Sequence, residues 1–157
     1  MNKQPISIAG FDRMRAALRQ LKETERPAVL DAVQRARDLG DLSENADYKT
    51  AKDLQRQIDS EIRRLEAIMD GANVIDTAAL TGDTVMFGSS VALEDEDGKE
   101  IRYRILSEYE ADLAKGVIAN TSPVARALIG KKSGDVCIVR TPAGEREYTI
   151  TDIENGV

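Results

Sequence analysis

Asp41 and Glu44 are the residues of this 157-residue chain best placed to do chemistry. They lie in the string Gly40-Asp41-Leu42-Ser43-Glu44-Asn45, between two long helical patterns, where a helical hairpin must turn. Their spacing supports two readings. Asp41-x-x-Glu44 has the form of a capping box, with Asp41 capping the second helix and Glu44 reaching back from its third position. Negative charge there also suits the helix dipole. The same spacing sets two carboxylates one helical turn apart, converging on one side and facing solvent. Magnesium takes one or two protein carboxylates and completes its octahedron with water and substrate phosphate. A two-carboxylate tip would hold the ion weakly alone and act when inserted into a site that supplies the other ligands, as two-metal phosphoryl chemistry requires.

The rest of the composition narrows the chemistry to this tip. The sequence contains no histidine, which removes Ser-His and Cys-His catalysis and nearly every protein zinc site. Cys137 is the single cysteine and lies in the apolar run Val136-Cys137-Ile138-Val139, so it reads as a buried structural thiol. No apolar run approaches the roughly 18 residues of a membrane span, and the N-terminus lacks the apolar core of a signal peptide. The expected location is the cytoplasm, with no membrane partner. Residues 1–75 carry 13 basic and 13 acidic side chains, while residues 76–157 carry 9 and 15, so the net charge of −6 belongs to the C-terminal half. That half is not expected to bind nucleic acid by itself, since phosphate contact needs a positive surface.

The elements that must position the tip follow from periodicity. From Phe11 to Leu39, Met14, Leu18, Leu21, Val29, Val33 and Ala36 recur in three- and four-residue steps with one eight-residue gap. Pro27 lies in that gap and predicts a kink or short break near Glu23–Pro27. Gly10 and Asp12 both offer start signals, and the sequence leaves the cap open. Ala51, Leu54, Ile58, Ile62, Leu65 and Met69 form a cleaner a/d seam. Two such helices with a short connection predict an antiparallel coiled-coil hairpin, a rod that needs a second domain at its open end.

After Gly71 the period changes to short strands: Asn73–Asp76, Thr84–Phe87, Ser90–Glu94, Ile101–Leu106, Val136–Val139 and Tyr148–Thr151. Asp97-Gly98 signals a hairpin turn, and Pro142-Ala143-Gly144 suggests another. Ser122 as cap, Pro123 at the first position and Gly130 as stop predict one short helix. The fold class is therefore α+β: a hairpin domain over residues 1–75, then a small, mostly antiparallel β domain with one helix over residues 76–157.

Two strings carry a family resemblance. Ala36-Arg37-Asp38-Leu39-Gly40-Asp41-Leu42-Ser43-Glu44-Asn45-Ala46-Asp47-Tyr48 resembles the hairpin-tip signature of the bacterial transcript cleavage factors, the GreA/GreB family. Asn120-Thr121-Ser122-Pro123-Val124-Ala125-Arg126-Ala127-Leu128-Ile129-Gly130-Lys131 resembles that family's C-terminal motif. The tip departs mildly, with Asp47 where glutamate is common. The resemblance implies an FKBP-like C-terminal domain that docks at the rim of the RNA polymerase secondary channel, with Ser122 and Pro123 at the contact. It implies that the hairpin enters the channel and that Asp41 and Glu44 are the catalytic, metal-ligating residues, helping to hold a Mg2+ of the polymerase active site only within that complex. Backtracked RNA would then be cut to give a fresh 3′ end by the polymerase, so the protein itself would not be an enzyme and would bind no metal tightly alone. Tyr48 would pack near the RNA end or serve as a contact within the hairpin. Arg35, Arg37, Lys49, Lys52 and Arg56 flank the tip and would either steer it along RNA phosphate or form a solvated, salt-paired face.

Rivals come from other classes. A prolyl isomerase needs an aromatic-lined pocket, and the C-terminal half has only Phe87, Tyr103, Tyr109 and Tyr148. A coiled-coil scaffold gives no reason for a tight acidic tip. A channel-entering inhibitor is the nearest rival, and such homologues carry altered or more acidic tips.

Overall fold

The computed structural model describes residues 3–41 and 45–157. The chain divides into two compact units, residues 11–72 and residues 1–10 with 73–157. The first ten residues, counted with the hairpin in the sequence reading, thus pack with the C-terminal unit. The reason is β1 (Gln4–Ser7), which pairs with β2 (Ala72–Ile75) and buries Ile6.

In the helical unit, α1 (Ile8–Gln20) runs into a π-helical stretch, Leu21–Glu25, and then α2 (Arg26–Asp38). The expected break near Pro27 is therefore a widened turn within a continuous helix. Pro27 would press on the carbonyl four residues back in a regular α-helix, and it has no N–H to offer. Widening the preceding turn, so that the Arg26 N–H reaches the Leu21 carbonyl five residues back, accommodates the ring. α3 (Ala46–Asp70) has 25 residues, about 37 Å at 1.5 Å each.

Cross-pairs show that α2 and α3 run antiparallel. Arg26 bonds Asp59 at 2.8 Å and Lys22 meets Glu66 at 3.4 Å, so partners rise in one helix as they fall in the other. Val29 packs with Ile58 and Ile62, with Leu18 and Leu21 against them, and Val33, Ala36, Ala51 and Leu65 are also buried. Leu54 departs from the expected seam and is 47% exposed. It lies in a groove with Ala28, Ala32 and Ala36, whose side chains are too short to cover it.

The C-terminal unit centres on a five-stranded sheet in the order β5-β4-β3-β7-β6, formed by β3 (Ser90–Glu94), β4 (Glu100–Leu106), β5 (Val117–Ala119), β6 (Val136–Thr141) and β7 (Gly144–Glu154). All neighbours are antiparallel except β4 and β5. α4 (Pro123–Leu128) packs Ala125 and Leu128 into a core with Val91, Leu93, Ile105, Val139 and Ile150. Burial of such side chains contributes about 1.5–3 kcal/mol each. Cys137 belongs to this core, and burial pushes its thiol up from the ordinary value. Thr84–Phe87 is not a strand but makes a single bridge, Thr84 to Lys132. No helix among the described residues is long and apolar enough to cross a membrane.

Candidate functional site

The hairpin tip is built from two helix ends. α2 closes with Leu39 donating to the Ala36 and Arg37 carbonyls. Gly40 follows with φ of 121°, a conformation that side chains disfavour and that turns the chain out of the helix. Asp41 comes next and is exposed. Glu44, with Leu42 and Ser43, lies outside the described residues.

Asn45, not Asp41, caps α3. Its Oδ1 accepts the Tyr48 N–H at 3.0 Å, the third-position amide that a cap satisfies. Its Nδ2 donates to the Ala36 carbonyl at 2.6 Å. One side chain thus satisfies a donor of one helix and an acceptor of the other, tying the two ends together. The capping position of α3 expected at Asp41 is therefore held by Asn45, and the Glu44 half of the expected capping box lies outside the described residues. Asp41, Asn45 and Asp47 line one shallow depression with Leu39 and Ala46. The sequence analysis placed Asn45 and Asp47 in the tip string but missed Asn45 as the cap. An amide at the last position before a helix is a cap signal in its own right, and it was outweighed by Asp41 four residues earlier.

A basic group stands beside the tip. The Arg37 guanidinium lies 5.7 Å from the centre of the Tyr48 ring. Its hydrogen bond to the phenol is the main influence holding Tyr48 below its ordinary value, with the charges of Arg37, Lys52 and Arg56 acting in the same direction. The structure therefore brings Arg37, Lys52 and Arg56 to one aromatic residue. Lys52 also donates to Gln55 at 3.1 Å, and Arg56 pairs with Asp53 at 2.8 Å. Arg35 pairs with Asp31 at 2.9 Å, and Lys49 is exposed. Exposed pairs of this kind contribute little stability, so the basic side chains are not committed to the fold.

In the C-terminal unit Ser122 caps α4, its Oγ accepting the Ala125 N–H at 3.2 Å, and Pro123 begins the helix. Pro123 is exposed and Ser122 half-buried.

Comparison with known proteins identifies the family. Residues 4–74 match "Transcription elongation factor, N-terminal" and residues 80–155 match "Transcription elongation factor, GreA/GreB, C-term". The chain belongs to the GreA/GreB family of transcription elongation factors. Curated relatives span the whole length. Transcription elongation factor GreA of Phenylobacterium zucineum is 47% identical, covering 98% of this chain and 99% of that one. The GreA of Anaeromyxobacter sp. (strain K) is 46% identical, covering 98% and 93%. Among solved structures, GreA factor homolog 1 (Gfh1) of Thermus thermophilus is 26% identical, covering 97% and 99% with a TM-score of 0.45. The family assignment stands on the matched sequences.

Proposed function

We propose that this GreA/GreB-family protein acts on RNA polymerase in the cytoplasm, entering the secondary channel with its hairpin and stimulating cleavage of backtracked RNA. The observation that carries the proposal is the division of labour at the tip. Asn45 holds the capping position of α3, and Asp41 stands exposed beside it in the same depression. The oxygen donors of Asp41 and Glu44 suit a hard cation. A Mg2+ shared with the polymerase active site would supply Lewis-acid and water-activating chemistry there. Asp41 and Glu44 would hold it in the complex, and Arg37, Lys52 and Arg56, with Arg35 and Lys49 along the helices, would guide the tip along RNA phosphate toward the 3′ end.

Catalysis on this reading belongs to the polymerase. The C-terminal unit docks at the channel rim through the surface that includes Ser122 and Pro123, and raises the effective concentration of the tip. The test is RNA shortening in a stalled, backtracked polymerase complex. Wild type should shorten the RNA, while Asp41→Ala should bind equally well yet lose most stimulated cleavage. Asp41→Ala should also melt closer to wild type than Asn45→Ala does. A cleavage loss in Asp41→Ala that tracks early melting would sink the proposal. Polymerase inhibition without shortened RNA would favour the inhibitor reading instead.

A further inference from the structure

Ser7 and Glu110 are buried and bonded to each other across 103 residues of sequence. Ser7 ends β1 and caps α1, its Oγ accepting the Gly10 N–H at 3.0 Å. In a capping box, the residue three positions after the cap turns a carboxylate or amide back onto the cap residue's own N–H. Here that position is Gly10, which has no side chain. Glu110 supplies the missing half from elsewhere in the chain. Its Oε2 accepts the Ser7 N–H at 3.3 Å, and the Ser7 hydroxyl donates to Oε1. The same carboxylate accepts the Ser107 N–H at 3.2 Å and the Ser107 hydroxyl at 2.8 Å.

Gly10 is needed for space. A methyl group there would overlap the Glu110 carboxyl, which hydrogen bonds from Ser7 and Ser107 hold in place. Gly10 has no positive φ, so its backbone would otherwise accept alanine, the better helix former. The site thus gives up helix propensity to admit the carboxylate of a distant residue. α1 itself continues to Gln20, in the unit that carries the tip.

We infer that Glu110 is a positioning residue, pinning the first turn of α1 to the Ser107–Glu110 turn so that the helix carrying the tip starts from a fixed root. This rests on the function proposed above. α1 runs continuously into the helix that ends at the tip, and small misplacements of a reacting group are costly. Releasing the pin lowers the fraction of bound protein that is competent for cleavage.

The test is a titration of the full-length protein against a backtracked polymerase complex, using Glu110→Gln and Gly10→Ala. Glu110→Gln keeps the shape but replaces an acceptor oxygen with a donor, and Gly10→Ala displaces an intact Glu110. Both should lower the cleavage rate at saturating protein by roughly tenfold, with the half-saturating concentration changed less than about twofold. A merely structural loss behaves differently, because excess protein makes up for an unfolded fraction and restores the wild-type plateau. Curves that shift to higher concentration and reach that plateau would overturn the inference. Amide hydrogen exchange reads the pin without polymerase: protection should fall at Ser7 in both variants, and at Gly10 in Glu110→Gln, and persist at Ile105 and Ile150. If wild type stimulates no cleavage, the proposed function fails, and the pin is judged on exchange alone. Unchanged protection at Ser7 in both variants, and at Gly10 in Glu110→Gln, would then overturn it.

Discussion

The Asn45 side-chain amide donates to the Ala36 carbonyl at 2.6 Å, joining the start of one long helix to the end of the other. That bond and the cap on Tyr48 use both ends of a single amide. A carboxylate cap such as Asp could make the second bond but not the first, because an ionised carboxylate only accepts. The tip therefore uses an uncharged side chain to cap α3 and to tie it to the end of α2.

Asn45→Ala should destabilise the protein by about 1–3 kcal/mol, combining a lost cap with a lost interhelical hydrogen bond. Asn45→Ser separates the two. Serine caps about as well as asparagine but is too short to reach Ala36, so its loss should be about 0.5–1.5 kcal/mol. Urea unfolding of the three proteins gives the comparison. Equal losses for serine and alanine would mean that the cap contributes nothing.

Tyr48 offers a spectroscopic check on the basic group. Because the hydrogen bond from Arg37 chiefly holds its phenol below the ordinary 10.0, Arg37→Gln should move one tyrosine ionisation upward. An ultraviolet titration, with Tyr48→Phe identifying the affected phenol, would show the shift. An unchanged titration would mean that Arg37 does not engage the phenol in solution.

Much of this was legible in the sequence because its signals are local. The 3.5-residue spacing of Ala51, Ile58, Ile62 and Leu65 reports one helix face, and Ser122-Pro123 reports a helix start within two residues. Leu54 fits the same spacing but is left half-open by the alanines opposite, which no single-helix pattern can report. β5 is too short, at three residues, to show alternation. The cap of α1 was ambiguous for a different reason: the carboxylate completing it lies 103 residues from Ser7, and only the folded chain brings them together. At the tip, Asp41 and Asn45 both qualify as caps by type, and the deciding feature is the nearby Ala36 carbonyl, a tertiary fact.

Glu110 should make stability depend on acid pH. Burial pushes its carboxyl upward, but the hydroxyl and amide donors of Ser7 and Ser107 outweigh that and hold it below the ordinary 4.5. The folded carboxyl is then harder to protonate than the unfolded one. Its contribution is fully present above pH 4.5 and is lost as pH falls through the folded value. Glu110→Gln should therefore be less stable than wild type near neutrality, and the gap should narrow as the solution is acidified below 4.5. Urea unfolding of both proteins at neutral and acid pH measures it. A gap independent of pH would show that the charge of Glu110 does not contribute.

Asp41→Asn tests the metal role most cleanly, because Asn45 already caps α3 and the substitution leaves that cap in place. The change keeps the size of the side chain and removes the negative charge that a hard cation prefers. If Asp41 helps to hold a shared Mg2+, the variant's cleavage rate should be low at ordinary magnesium and rise partly toward wild type as magnesium is increased. The curve for Asp41→Asn should then lie at higher metal concentration than that for wild type on the same backtracked complex. A general loss of polymerase binding would instead be corrected by more protein rather than more metal, so the two titrations separate the causes. Identical magnesium dependence for the two proteins would mean that Asp41 acts at the tip through something other than the ion.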